Sequence, residues 1–120
     1  MYFEIDDYNA LRVALQKMCS RFSDENVPQE IVFDSKLVAD ELLSNVLQHD
    51  GGRAYFRAEI AGDAITLSVR SAKAFRPPEE SVLAGVEAEC GRGLYLVDSL
   101  VETRRYSEDC GTSVVIRITR

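Results

Sequence analysis

Glu41-Leu42-Leu43-Ser44-Asn45-Val46-Leu47-Gln48-His49 is the stretch whose reading decides the fold. Projected at about 100° per residue, Val38, Ala39, Leu42, Leu43 and Val46 form one broad apolar arc. Asp40, Ser44 and Gln48 fall opposite, where a packed helix meets solvent. Glu41, Asn45 and His49 fall on neither side. Spaced four apart, they form a stripe along one border of the arc. A carboxylate, an amide and an imidazole so placed can point together into a cleft beside a sheet. The plainer alternative is a solvated shoulder with an incidental i,i+4 hydrogen bond, and spacing alone leaves both open.

Working outward, Pro28 suits the first turn of this helix. The helix is expected to reach about Gln48 or His49, with an irregularity near Asp34-Ser35 and a left-handed stop at Gly51-Gly52. Upstream, Tyr2 to Ile5 reads as a short strand by alternation. Asp7 or Asn9 can cap a first helix running to about Phe22, with Leu11, Leu15, Met18 and Phe22 on its core stripe. Ser23 to Val27 is polar loop. Downstream, Ala54, Phe56, Ala58 and Ile60 alternate with Tyr55, Arg57 and Glu59. After a two-residue turn at Gly62-Asp63, Ile65, Leu67 and Val69 alternate again. Pro77-Pro78 breaks regular structure, and Glu79 to Cys90 reads as loop with at most a helical turn. A helix is expected from about Leu94 to Leu100, then closing strands over Val101–Tyr106 and Thr112–Ile118. The order β-α-α-β-β-loop-α-β-β argues for an α+β two-layer sandwich, a mixed, mostly antiparallel sheet with helices on one face.

Composition narrows the function classes. A chain of 120 residues fits one compact domain. No apolar run approaches the roughly 20 residues that span a bilayer, and the N-terminus lacks a signal peptide's basic start and apolar centre, so a cytoplasmic location is expected. Net charge is −6 and no segment is densely basic, which disfavours nucleic-acid binding by phosphate neutralisation. Cys19, Cys90 and Cys110 are far apart without CxxC spacing, the pattern of small semi-buried thiols rather than of disulfides or zinc. His49 is the sole histidine, so acid–base chemistry must rest on it or on carboxylates.

Three segments together resemble a known family. Glu41 to His49 looks like the N-box of GHKL ATPases, E-x-x-x-N-x-x-x-H, in the form closest to the anti-sigma-factor serine kinases. Gly91-Arg92-Gly93-Leu94-Tyr95-Leu96-Val97 resembles that branch's second glycine box, GRGLxLV. Gly111-Thr112-Ser113-Val114 resembles the G-T-x-V that opens the family's final strand. The match runs in order over nearly the whole chain.

The resemblance implies the Bergerat, histidine-kinase-like ATPase fold and a Mg-ATP site. In such sites the residue matching Glu41 orients or deprotonates the attacking hydroxyl, and the amide matching Asn45 holds Mg²⁺, a cation that prefers oxygen ligands. Gly91 and Gly93 would let backbone N–H groups approach phosphates, with Arg92 adding a charge-assisted contact. Leu94 and Thr112 fall inside the matched segments and are expected to line the nucleotide. His49 either lines the site or packs at the helix end. Arg12 loosely matches an arginine that reaches a neighbouring subunit's nucleotide, or is simply solvated surface.

One expected motif departs from the family. The first glycine box, D-x-G-x-G, should follow the strand ending at Val69, where the chain reads Ser71-Ala72-Lys73-Ala74-Phe75. Ser71 replaces the aspartate that accepts a bond from the adenine amino group, and Ala72 and Ala74 add methyl groups where glycines let the backbone pass close. Exchanging a charge-assisted bond of about 1.5–3 kcal/mol for a neutral one weakens affinity roughly 10- to 150-fold. Lys73 either approaches phosphate or is a surface lysine. The resemblance thus implies an anti-sigma-factor-like regulator with Mg-ATP binding impaired or altered. Its partners would be a sigma factor or an antagonist protein, with homodimerisation in keeping with the family. The alternative is a nucleotide-independent, partner-switching module on the same fold. A histidine-kinase catalytic fragment is the weaker third reading, because no dimerisation helix with a phosphoacceptor histidine is evident.

Overall fold

The computed structural model describes residues 1–50, 53–71, 95–107 and 111–118. Strand β1 (Tyr2–Ile5) leads into helix α1 (Tyr8–Asp24), helix α2 (Gln29–Asp50), the hairpin β2 (Ala54–Ala61) and β3 (Ala64–Ser71), and finally β4 (Thr103–Ser107) and β5 (Gly111–Arg117). Residues 95–100 are helical. The expectations for Gly51-Gly52, for Ala72 to Gly93 and for Cys110 lie outside the described residues, as does that for Leu94.

Local chemistry explains the boundaries. Asp7 caps α1, its carboxylate accepting from the Ala10 N–H at 2.7 Å. The helix runs two residues past Phe22 and stops where Asn26 takes φ 64°, with Val27 N–H donating to the Phe22 carbonyl at 3.0 Å. The irregularity expected near Asp34-Ser35 is absent: α2 is one helix of 22 residues. Ser35 is fully buried, and its hydroxyl donates back to the Ile31 carbonyl at 2.8 Å, so its polar group is satisfied without opening the helix.

The sheet has strand order β1-β2-β3-β5-β4, and every described pairing is antiparallel, in keeping with the expected α+β sandwich with a mostly antiparallel sheet. Period-two alternation divides it into two faces. Phe56 lies opposite Val69, Leu67 opposite Val114, and Ile65 opposite Ile116. These residues are buried, and with Leu42, Leu43 and Val46 of α2 and Leu11, Leu15, Met18 and Phe22 of α1 they form a single core. The helices therefore cover one face: α2 over β2, β3 and β5, and α1 beside β1. Val97, from the helical segment 95–100, joins the same core fully buried.

Two glycines show where backbone freedom matters. Gly62, in the β2–β3 turn, has φ 61° with open space around it. Gly111 has φ 72°, and a Cβ there would stand 2.3 Å from the Val69 carbonyl oxygen and 2.7 Å from the Arg70 Cα. The start of β5 is thereby pressed against β3. Gly62→Ala is expected to cost about 1–2 kcal/mol, the left-handed penalty alone. Gly111→Ala adds the backbone clash and is expected to cost about 2–5 kcal/mol. Equal denaturation midpoints for the two variants would contradict this close approach.

Candidate functional site

The five predicted apolar positions of α2, Val38, Ala39, Leu42, Leu43 and Val46, are all buried; of the three expected to meet solvent, Asp40 and Gln48 are exposed and Ser44 is half-buried. Each buried aliphatic side chain contributes about 1.5–3 kcal/mol, several times any surface interaction of the helix, so the core fixes the roll of α2 about its axis. That roll decides where Glu41 and Asn45 go. Glu41 is half-buried, and Asn45 is only 8% exposed, which excludes the solvated-shoulder reading for the amide. His49 occupies the last turn of α2; its side chain lies outside the described residues.

Asn45 carries no side-chain hydrogen bond among the described residues, and neither does Thr112, which is 7% exposed at the start of β5. Buried polar groups in folded proteins are nearly always paired, and leaving one unpaired costs about 1–3 kcal/mol. Both groups are thus open to a bonding partner beyond the described residues. Thr112 sits opposite Val69, and Ser71 opposite Ala54, so both face the helix-covered side of the sheet. Covalent reach brings α2 to the same end. Asp50 is four residues before Ala54, a span of at most about 14 Å, and Ala54 is in register with Ser71.

Glu41 is held above the usual glutamate range, first by desolvation and second by the neighbouring Asp40 carboxylate. A carboxylate raised in this way is a stronger base than a solvated glutamate. Among the described residues no group of three or more His, Cys, Asp or Glu side chains is placed to hold a metal ion. The Asn45 amide offers an oxygen, the donor type taken by Mg²⁺, an ion that keeps waters and shares its other positions with substrate phosphates.

Two features escaped the sequence reading. Asp34 is 7% exposed and stands seven residues before Glu41, on the same border of α2; two turns of periodicity were the available signal. The second is an ion pair. Arg104 lies opposite Val114, hence on the core face of β4, and its Nε and Nη2 donate to the two Asp98 carboxylate oxygens at 2.6 and 3.2 Å. The Arg104 side chain is 8% exposed, so this fork fastens the helical segment 95–100 to the outer strand. Nothing in the sequence pairs these two positions.

The remaining predicted residues are dispersed. Arg12 is exposed, donating to Asn9 at 2.9 Å, and lines an open groove of about 460 Å³ between α1 and α2 with Tyr8, Lys36 and Asp40. Lys73, Gly91, Arg92, Gly93 and Leu94 lie outside the described residues. Cys19 is a half-buried free thiol; burial pushes its pKa up, partly offset by Lys36.

The chain matches the histidine kinase-like ATPase domain family over residues 4–118 and belongs to that family. The observed five-stranded sheet with helices on one face is consistent with it, and the family places the chain in the GHKL superfamily. No curated protein is significantly similar to the chain. Among the described residues no helix is long and apolar enough to cross a membrane.

The raised pKa of Glu41 gives a signed expectation. Below about pH 4, near the unfolded glutamate value, the group is protonated in both states and has no effect. As pH rises through the folded value, the unfolded chain ionises more readily, so the native state loses stability. Glu41→Gln, which removes the buried charge, should raise the melting temperature at pH 7, with the gain vanishing towards pH 4. A gain of equal size at both pH values would show that burial of charge is not the cause.

Proposed function

We propose that this chain is an anti-sigma-factor-like regulator that binds Mg-ATP weakly and retains the machinery to phosphorylate a serine of an antagonist protein. Membership of the ATPase family supports nucleotide binding. The observation that carries the finer reading is the unpartnered, buried Asn45 one turn beyond Glu41, facing the same side of the sheet as Ser71 and Thr112. A purely structural helix gains nothing from an orphaned amide there, whereas a nucleotide-bound magnesium ion requires an oxygen ligand.

In this reading Asn45 would hold Mg²⁺, which neutralises phosphate charge when bound. Glu41 accepts the proton of the incoming serine hydroxyl as its oxygen bonds to the γ-phosphorus. The bond from that phosphorus to the β-phosphate oxygen breaks, and ADP leaves. Catalysis of this kind rests on positioning and charge stabilisation. Gly91, Arg92, Gly93 and Leu94 supply phosphate contacts by the family pattern, and Lys73 and His49 are assigned to the rim of the site. Partners are a sigma factor and its antagonist, in the cytoplasm, and the chain works as one domain with homodimerisation as in the family. Serine at position 71, with Ala72 and Ala74 where the family has glycines, favours a second reading, a partner-switching module without nucleotide chemistry, because a protein that only sequesters a partner has no use for an adenine-reading carboxylate.

Calorimetry at millimolar nucleotide, with and without Mg²⁺, separates the two. The first reading expects weak, Mg-dependent ATP binding that Ser71→Asp tightens about 10- to 150-fold. Asn45→Leu should remove the Mg²⁺ dependence while holding or raising the melting temperature, since an apolar group replaces an unpaired polar one. Absence of binding in both wild type and Ser71→Asp establishes the nucleotide-independent reading instead.

A further inference from the structure

The second face of the sheet, away from the helices, collects arginines that are scattered in the sequence. In one cross-strand row Arg57 of β2 faces Ser68 of β3, Ser68 faces Ser113 of β5, and Ser113 faces Arg105 of β4. Arg70 stands two residues beyond Ser68 on the same face. All three arginines are exposed, whereas Ser68 and Ser113 are partly buried, their hydroxyl oxygens 3.5 Å apart. The result is a low floor of small hydroxyl side chains rimmed by three guanidinium groups. Among the described residues none of the three is in an ion pair.

Two of these guanidiniums are held in place. The Arg57 guanidinium carbon lies 5.8 Å from the centre of the Tyr2 ring, and that of Arg70 lies 4.8 Å from the Tyr55 ring. The two tyrosines stack with centroids 6.4 Å apart. A guanidinium resting on a ring keeps its planar edge of N–H donors available and loses less side-chain entropy when a carboxylate arrives. Tyrosine and arginine are also the residue types enriched at the energetic centres of protein interfaces. Glu4 and Glu59 sit at the β1–β2 margin of this face, and Arg117 of β5 is neutralised by Asp63 and Glu102, so the strand guanidiniums of this face outside ion pairs among the described residues are those of Arg57 on β2, Arg70 on β3 and Arg105 on β4.

We propose that this face docks an acidic polypeptide segment, its carboxylates taken by Arg57, Arg70 and Arg105 above the Ser68–Ser113 floor. Polypeptide is the fitting occupant because the guanidiniums are few and spaced apart, matching discrete carboxylates rather than a continuous phosphate run, and because Tyr2 and Tyr55 already carry the Arg57 and Arg70 guanidiniums. Arg57 and Arg105 are three strand spacings apart, about 14 Å, which an extended peptide matches with acidic residues four positions apart on one side. The proposal is independent of nucleotide binding on the opposite face.

Fluorescence anisotropy with a labelled decapeptide of alternating glutamate and serine tests it, against a glutamine–serine peptide and decathymidylate. The acidic peptide should bind most tightly, and its affinity should fall as salt is raised. Arg57→Ala/Arg105→Ala should weaken it about tenfold or more, whereas Lys17→Ala/Arg21→Ala, an equal charge change on exposed positions of α1, should leave it within about twofold. Equal weakening by the two double variants would overturn the proposal, as would salt-insensitive binding by the wild type or equal affinity for the glutamine peptide. Tighter binding of decathymidylate would overturn the choice of occupant.

Discussion

The packing of the α2 apolar arc against β2, β3 and β5 is the interaction on which the rest depends. Leu42, Leu43 and Val46 bury on the sheet, and a helix so anchored cannot turn about its axis without exposing them. Glu41 and Asn45 lie at the border of that arc. The same hydrophobic contact that makes the core therefore aims a carboxylate and an amide along the margin of the sheet. A roll of a quarter turn would either bury Glu41 in aliphatic side chains or release Asn45 into water.

Stability and function pull apart along this margin. Asn45 and Thr112 are buried without partners among the described residues, and the surroundings of Glu41 raise the cost of ionising it. Folding energy is drawn instead from the apolar face, from the close seat of Gly111 on β3, and from the Arg104–Asp98 fork that ties the segment 95–100 to β4. Buried polar groups that the described residues leave unsatisfied are open to a ligand that would satisfy them.

Much of this was legible in the sequence, for physical reasons. The helical period of α2 exposed the border stripe, strand alternation located β2, β3 and β5, and Gly62-Asp63 marked the hairpin turn. Signals carried by local geometry survive in a linear string. Long-range pairing does not. That Thr112 stands beside Val69 and Ser71 beside Ala54 depends on register. The Arg104–Asp98 contact and the gathering of Arg57, Arg70 and Arg105 on one face depend on it as well. The stop of α1 at Asn26 was missed because asparagine only sometimes takes the left-handed conformation. The expected break at Asp34-Ser35 failed because Ser35 bonds back to Ile31 and continues the helix.

The central claim is that the α2 border and the Ser71–Thr112 end of the sheet form one ligand-binding margin. Amide and side-chain chemical shifts of the labelled protein, followed during titration with Mg-ATP, test it directly. The account predicts that the shifts of Glu41, the Asn45 side-chain amide, Ser71 and Thr112 move together along a single saturation curve, while Arg57, Ser68 and Arg105 stay fixed. Perturbation confined to the arginine-bearing face, or Asn45 and Thr112 unmoved at saturating nucleotide, would contradict it.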